Sequence, residues 1–342
     1  MRAGALLSYS LLRSMFFTAE GLLLPAIDLL VNRRRPKLLT DDIELLKTSR
    51  VELLKLLRSD AENIAGGMYP ASVLRPESAI KHLTRIPKLF IDGVKAAQRK
   101  SSKQAHHFSA DANELLEGLP EYYRRNFHFQ DSGYLTDHSA ELYDHQVEVL
   151  FAGSADAMRR MIIKPMKQKF DTNGRGLRIL EIGAGTGRAA EFVQAAFPQA
   201  QITALDLSEA YLRLARKKTN TLKKADFIQG DGADLPFKDQ QFDAVYSAFI
   251  FHELPEKVRE AVITESLRVL KPHGFIGLVD SLQKGDNPKL DGALNDFPRE
   301  FHEPFYKNYI SRPMEEMFSK LGVLEVKSGR GFFSKVVWGT KV

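Results

Sequence analysis

The sequence predicts an α/β fold in the second half of the chain, preceded by a helical N-terminal region. From residue 176 onward, short apolar runs that suit buried strands alternate with helix-like segments, as in a parallel sheet covered on both faces. The first run ends in an acidic residue and three alternating glycines. The 342 residues also suffice for more than one unit. We therefore predict a helical region at 1–110, a helical lid segment at 111–172 and an α/β domain at 173–342.

The N-terminal segment from Ala3 to Val31 is rich in Leu and Phe and predicts an amphipathic helix. Arg13 and Glu20 interrupt it seven residues apart, which places them on one helix face. Its longest uncharged stretch, Ala3–Leu12, is far shorter than the ~20 residues of a bilayer span. The segment could lie on a membrane surface, pack against the body of this protein or act as a targeting peptide, although no small-residue cleavage site stands out.

A second helix is predicted to begin at Thr40. This residue offers a capping oxygen, and Asp41 and Asp42 add negative charge to the first turn, where the helix dipole favours it. Leucines then recur on one side until Gly66 and Gly67 end the pattern. The pattern predicts an amphipathic helix that packs through its apolar side, and none of its residues suggests a catalytic or binding role.

Positive charge is concentrated in the N-terminal region, although the whole chain carries only +6. Residues 1–40 hold six basic and two acidic side chains, and residues 81–103 hold seven basic and one acidic. The basic residues lie beside apolar runs and are not interleaved with aromatic residues on which bases could stack. This pattern favours anionic lipid over nucleic acid as a partner. We expect a cytoplasmic protein with peripheral contact at the inner face of a membrane. The lack of cysteine excludes disulfides, thiolate metal sites and a cysteine nucleophile.

The strand predicted at 178–182 leads into the most informative motif of the chain. Gly183, Gly185 and Gly187 remove every Cβ from a tight strand-to-helix turn, where a backbone could approach a ligand closely and adopt positive φ. A dinucleotide fingerprint would require a third Gly or Ala where Arg188 stands. The turn therefore predicts a nucleotide-type cofactor that differs from a nicotinamide dinucleotide.

Further landmarks follow the glycine turn in a fixed order. Asp206 ends a second apolar run 23 residues after Gly183, Asp231 follows a third run, and Phe242–Leu254 contains a fourth. With Leu267–Asp280, these segments resemble motif I and the later motifs of class I S-adenosylmethionine (SAM) dependent methyltransferases, closest to the methyltransferase type 11 branch that includes the ubiquinone/menaquinone C-methyltransferases. The resemblance runs from residue 176 to 342 and implies a Rossmann-like seven-stranded sheet with an α-helical N-terminal domain or lid. Strands are expected at 178–182, 201–206, 226–229, 242–248 and 274–280, helices at 256–270 and 313–320, and a hairpin strand at 331–341.

The resemblance also implies a SAM site at the carboxyl ends of the strands. Glu181 and the glycine turn would face the methionine moiety, Asp206 the ribose and Asp231 the adenine. Asp206 could instead cap the next helix, where Ser208 competes for that position. The expected cofactor-binding residues are Glu181, Gly183, Ala184, Gly185, Gly187, Asp206, Leu207, Asp231, Gly232, Ala248 and Phe249.

His252 and Glu253, just beyond the fourth strand, are the candidate catalytic residues. A phenol, an enolisable carbon or a quinol ring would need a base, and histidine titrates near the working pH. His252 could instead cap a helix or pack below the pocket. The Asn/Asp-Pro-Pro-Tyr sequence with which related enzymes present an amino group is absent here, which disfavours adenine and glutamine acceptors.

Aromatic and titratable side chains crowd between residues 113 and 170, where the family commonly has a lid over the acceptor. The alternative is that the aromatic rings are core and the histidines lie on solvated faces. No His-x-x-x-His or Glu-x-x-His spacing occurs among them, so we predict no metal. The candidate substrate-binding residues are Tyr122, Tyr123, His128, Tyr134 and Tyr143.

These patterns favour a SAM-dependent methyltransferase that acts at carbon or oxygen on a small, apolar or aromatic acceptor. The alternative is a non-catalytic SAM-binding or assembly protein that uses the lid as an interface. An NAD-type oxidoreductase is disfavoured by Arg188 and by the Gly-Asp turn after the third strand.

Overall fold

The structure of the protein, a computed structural model, describes residues 2–22, 43–75, 84–85, 87–88, 115–124, 133–218, 222, 224–301 and 303–342, with the backbone alone at 299–301. The helix start predicted at residues 40–42 lies outside these ranges.

Seven strands form one sheet in the order β3-β2-β1-β4-β5-β7-β6. The first five are parallel, and β7 pairs antiparallel with both β5 and β6. The predicted Rossmann-like seven-stranded sheet is therefore confirmed, and three strands have the predicted bounds. The strands are β1 (Arg178–Ile182), β2 (Gln201–Asp206), β3 (Ala225–Gln229), β4 (Phe242–Ala248), β5 (Leu270–Ser281), β6 (Leu324–Gly331) and β7 (Ser334–Thr340).

Helices pack on both faces of this sheet, as the alternating pattern predicts. On one face Ile263 and Phe318 contact the cluster around Leu180, and on the other Val193 and Phe197 belong to the cluster around Ile179. The helices are α1 (Ala3–Gly21), α2 (Ile43–Ala65), α3 (Asp137–Leu150), α4 (Ala155–Arg159), α5 (Ile163–Lys169), α6 (Arg188–Ala196), α7 (Glu209–Arg216), α8 (Glu256–Val269), α9 (Asp291–Phe301), α10 (Tyr306–Tyr309) and α11 (Met314–Lys320).

The first helix packs against α2 and α3 through one face, where Leu6 and Phe17 are buried. Arg13 and Glu20 share the predicted face: Arg13 lies 3.0 Å from Glu148, and Glu20 lies 2.7 Å from His145. Packing against the body of the protein thus occurs on this face, while other apolar side chains of α1 remain exposed. No helix among the described ranges is long and apolar enough to cross a bilayer.

Ion pairs join the N-terminal helices to the segment at 156–160 and to the α/β domain. Arg160 donates two hydrogen bonds to Asp60 of α2, at 2.8 and 2.6 Å, and the Tyr69 hydroxyl donates a third at 2.7 Å. A second cluster, the Asp156 cluster, centres on a carboxylate that contacts three arginines. Asp156 lies 2.6 Å from Arg188, 3.2 Å from Arg159 and 3.4 Å from Arg13. The first helix is thereby tied to the helix that follows the glycine turn.

Candidate functional site

The glycine turn has the backbone that the sequence predicts. Gly183, Gly185 and Gly187 have φ values of +73°, +54° and +74°. A Cβ on Gly183 would lie 2.3 Å from a methyl carbon of Ile250, whereas the nearest atom to a Cβ on Gly185 would be 3.9 Å away. Glycine at 183 is therefore required by packing as well as by conformation, and the backbone at 185 is left open to a ligand.

Asp206, at the end of β2, holds this turn in place. One carboxylate oxygen accepts the Gly185 N–H at 2.7 Å, and the other accepts the Ser208 N–H at 2.7 Å. The cap of α7 is Ser208, whose hydroxyl accepts the Tyr211 N–H at 3.3 Å. Asp206 therefore does not take the alternative role of a helix cap.

A cleft opens at the carboxyl ends of the parallel strands. Gly187, which precedes α6, does not line the cleft. Tyr211 and Arg159 do line the cleft, although the sequence did not predict them as site residues. The cleft brings together most of the predicted cofactor-binding residues, namely Glu181, Gly183, Ala184, Gly185, Asp206, Leu207, Asp231, Gly232, Ala248 and Phe249.

Glu181 and Asp206, two of the acidic groups in the cleft, have raised pKa values. Glu181 is 1% exposed, its Oε2 atom has no hydrogen-bond partner among the described residues, and burial raises its pKa to about 8. Burial also raises the pKa of Asp206, against the opposing effect of the N–H groups of Ser208 and Gly185. Arg159 and Arg188 reach the same cleft but are already engaged by the Asp156 cluster. The site therefore suits a ligand that brings its own positive charge.

Tyrosines cover the cleft. Tyr122, Tyr123, Tyr134 and Tyr143 all line it, while His128 lies outside the described residues. The Tyr122 hydroxyl donates to Asp231 at 2.9 Å. The Tyr134 ring meets those of Tyr143 and Tyr211 edge-on, at centroid distances of 5.7 and 5.8 Å. These rings therefore both form a small core and face the cleft.

His252 and Glu253 lie in a short 3-10 turn after β4, and only Glu253 lines the cleft. The Nδ1 atom of His252 lies 2.6 Å from a carboxylate oxygen of Asp280, which is fully buried on β5. Burial alone would lower the pKa of His252, but the charge and hydrogen bond of Asp280 outweigh it and raise this pKa to about 10. His252 lies outside the lining of the cleft, and it does not cap α8, because Pro255 is the residue that precedes this helix.

Glu253 belongs to an acid–base cluster formed with His252, Asp280 and Glu303. Its Oε1 atom accepts the Tyr134 hydroxyl at 2.6 Å and lies 3.8 Å from His252 Nε2. Glu303 is 2% exposed and lies in the same group. Burial raises the pKa of Glu253 to about 7, against the lowering effect of His252, and burial and Glu253 raise that of Glu303 well above its usual range. Sequence reasoning missed Asp280 and Glu303, since no local motif marks either.

Comparisons with known proteins place this geometry in a family. A family model described as a methyltransferase domain matches residues 179–274. The chain is 34% identical over 147 residues to a fatty-acid O-methyltransferase from Mycolicibacterium smegmatis, covering 43% of this chain and 53% of that protein. It is 31% identical over 177 residues to the demethylmenaquinone methyltransferase of Thermotoga maritima, covering 52% of this chain and 72% of that protein.

Other matches are shorter or more distant. A phthiotriol/phenolphthiotriol dimycocerosates methyltransferase from Mycobacterium ulcerans is 35% identical over 105 residues, which are 31% of this chain and 38% of that protein. The chain thus spans about half or less of the length of two of these three relatives. A solved SAM-dependent methyltransferase from Aquifex aeolicus has a TM-score of 0.39 and 20% identity, covering 52% of this chain and 88% of that one. The identity that extends over most of the demethylmenaquinone methyltransferase, together with the strand order of the sheet, shows that this chain belongs to the class I methyltransferases.

Proposed function

We propose that the protein transfers a methyl group from SAM to a small, apolar or aromatic acceptor, at carbon or oxygen. The observation that carries the proposal is the pairing of two acidic groups, the buried Glu181 and the half-buried Asp206, with a glycine turn left open at Gly185. We assign the cofactor domain to 173–342 and the lid to 111–172.

The residues present fit the cofactor. The unpartnered oxygen of Glu181 suits the ammonium group of the methionine moiety, since a buried carboxylate gains most from a cationic partner. Asp206 is held by two backbone N–H groups, and its remaining lone pairs suit the ribose hydroxyls. We assign the adenine to Asp231 and Gly232, with Tyr122 orienting the Asp231 carboxylate. When bound, SAM supplies an electrophilic methyl group on a positively charged sulfur.

The contribution of the protein to such a reaction is mainly positioning and the exclusion of water. Phe249 and Ile250 follow β4 and border the cleft opposite Asp206, and the tyrosines cover it. We assign His252 and Glu253 as the candidate acid–base residues: Glu253 lines the cleft, and His252 lies 3.8 Å from that side chain, outside the lining.

The apolar nature of the acceptor is supported by the relatives. Their names describe methylation of a fatty acid, of demethylmenaquinone and of phthiotriol dimycocerosates. The exposed side chains of Leu12 and Met15 on α1, each about two-thirds exposed, support peripheral contact with a membrane surface at which such an acceptor would be met.

Calorimetry tests the cofactor assignment. We expect the wild-type protein to bind S-adenosylhomocysteine, and Asp206→Ala to lose ~100-fold or more in affinity, because two hydrogen bonds to a charged group are removed. Asp226→Ala, at the other end of the neighbouring strand, is the matched control and should bind normally. A folded wild-type protein that gives no heat with SAM or S-adenosylhomocysteine would refute the proposal. Transfer of radiolabelled methyl groups to a lipid extract, abolished by Asp206→Ala, would then establish catalysis.

A further inference from the structure

Resting on the membrane contact in the proposed function, we infer that a groove beside α1 binds an anionic phospholipid of that membrane. The lining of this groove includes Leu12 and Phe16 of α1 together with Leu74 and Arg75. The acyl chains lie along the apolar side chains, and the phosphate group meets Arg75.

The two faces of α1 differ in charge. Both charged side chains of the helix point toward the body of the protein, where Arg13 lies 3.0 Å from Glu148 and Glu20 contacts a histidine of α3. The opposite face carries no charged side chain along the described helix, and its apolar side chains recur at helical spacing. These side chains are Leu11, Leu12, Met15, Phe16 and Ala19, followed by Leu22 just beyond the helix. This pattern is typical of a helix that lies in the plane of a membrane interface.

The hydroxyl groups on the outer face are already satisfied by the helix itself. The Ser8 hydroxyl donates to the Gly4 carbonyl oxygen at 3.0 Å, and the Thr18 hydroxyl donates to the Ser14 carbonyl oxygen at 2.8 Å. Such groups can leave water without the loss of a hydrogen bond. A protein interface carries about one hydrogen bond per 100–200 Å², and this face offers no charged group to form one. It therefore matches lipid better than a protein partner.

The groove adds a cation to this apolar face. Arg75 is exposed and makes no ion pair with any described residue. An apolar wall beside an exposed guanidinium suits an acyl chain that carries a phosphate, because the guanidinium can donate two parallel hydrogen bonds to phosphate oxygens. Each acidic side chain of the lining lies at ion-pair distance from an arginine, namely those of Asp144, Glu148 and Asp156.

Helix α3 separates this groove from the cofactor cleft. His145 and Glu148 line the groove, Tyr143 lines the cleft, and two charged side chains line both. These two are Asp144 and Arg188. A helix is about 10 Å across, so a lipid in the groove lies about one helix diameter from the cofactor site. Binding in the groove therefore holds the cleft close to the lipid phase in which an apolar acceptor dissolves.

Sedimentation of the full-length chain with lipid vesicles tests this inference. We expect about tenfold or more tighter binding to phosphatidylcholine vesicles that contain about one-third phosphatidylglycerol than to vesicles of phosphatidylcholine alone. Leu12→Ser should weaken binding to both kinds of vesicle about tenfold or more, because it removes apolar surface that the lipid buries. Leu324→Ser, at another exposed leucine on β6, is the matched control and should bind as the wild type does.

The position of the phosphate has a separate readout. Arg75→Gln should weaken binding to the anionic vesicles alone, about fivefold, which is the effect of one basic side chain near charged lipid. Arg175→Gln, at an exposed arginine that precedes β1 at the end of the sheet opposite the cleft, is the matched control and should have no effect. Far-ultraviolet circular dichroism verifies that each variant is folded.

Three results would overturn the inference: equal affinity of the wild type for the two kinds of vesicle, wild-type affinity of Leu12→Ser, or equal effects of Arg75→Gln and Arg175→Gln. Self-association without lipid that Leu12→Ser abolishes would assign the face to a second copy of the chain and would also overturn it. Vesicle binding requires neither SAM nor turnover. A protein that binds anionic vesicles but not S-adenosylhomocysteine would therefore refute the proposed function and leave the lipid groove standing.

Discussion

Glu181→Gln should remove a fall in stability that the wild-type protein shows as pH rises. The Glu181 side chain is 1% exposed, and burial raises its pKa from 4.5 to about 8 in the unliganded protein. The folded state therefore binds this proton more tightly than the unfolded state does. Between pH 4.5 and pH 8 the unfolded chain has released the proton and the folded protein retains it, so the free energy of unfolding falls as pH rises.

The magnitude follows from the size of the pKa difference. Each pKa unit corresponds to about 1.4 kcal/mol, so the whole difference is worth about 5 kcal/mol at pH values above 8. Glutamine keeps the shape of the protonated side chain and cannot ionise. Between pH 6 and pH 8, Glu181→Gln should therefore gain about 2 kcal/mol of stability relative to the wild type.

Urea unfolding of both proteins at pH 6 and pH 8, without cofactor, measures this difference. Glu62→Gln, at an exposed glutamate on α2, is the control and should follow the wild type. Parallel pH dependence of the wild type and Glu181→Gln would refute the reasoning. A second check is calorimetry at pH 7 in buffers of different ionisation enthalpy, where binding of an ammonium group beside Glu181 should release close to one proton from the wild type and none from the variant.

Two further predictions concern the fold around the site. Gly183→Ala should cost about 2–5 kcal/mol in the free energy of unfolding, because the new Cβ would meet Ile250 and φ is positive. Gly185→Ala should cost only about 1 kcal/mol, because only its positive φ is unfavourable. Equal losses of the two variants in urea unfolding would contradict this assignment. Asp60→Asn should cost about 3–5 kcal/mol by leaving Arg160 buried without its anion, and a loss below 1 kcal/mol by the same measurement would show that the pair does not hold α2.

The strands could be predicted because each one is a local pattern. β1, β2 and β4 are short apolar runs, and the ends of two of them are marked locally, since β1 stops before Gly183 and β2 stops at Asp206. β5 begins four residues before its predicted start, because Leu270 pairs with Phe242 across a register shift, ahead of the turn-like Pro272 and Gly274. Helix α9 was not predicted, and it contains Pro298, a residue that usually marks a helix end.

The candidate site shows the same contrast between local motifs and tertiary packing. On the cofactor side, the residues stand in short motifs at the ends of successive strands. The parallel order of the strands brings these motifs to one edge of the sheet. The acid–base cluster is assembled differently: Asp280 lies on β5 and Glu303 precedes α10, so each meets His252 or Glu253 only through tertiary packing. No spacing rule connects such positions. The assignment of roles to all of these residues stays a prediction until the variants are measured.

Asp156 is the common partner of Arg13, Arg159 and Arg188. A substitution of the carboxylate should therefore disturb this cluster more than a substitution of any one arginine. Loss of one arginine still leaves the carboxylate two cations, whereas loss of the carboxylate removes an acidic partner from all three arginines at once. In random mutagenesis, lesions at Asp156 should therefore be recovered far less often than lesions at any single arginine. Second-site substitutions that restore an Asp156 variant should fall at those arginines. Substitutions in the first helix and in the helix after the glycine turn would then depend on each other.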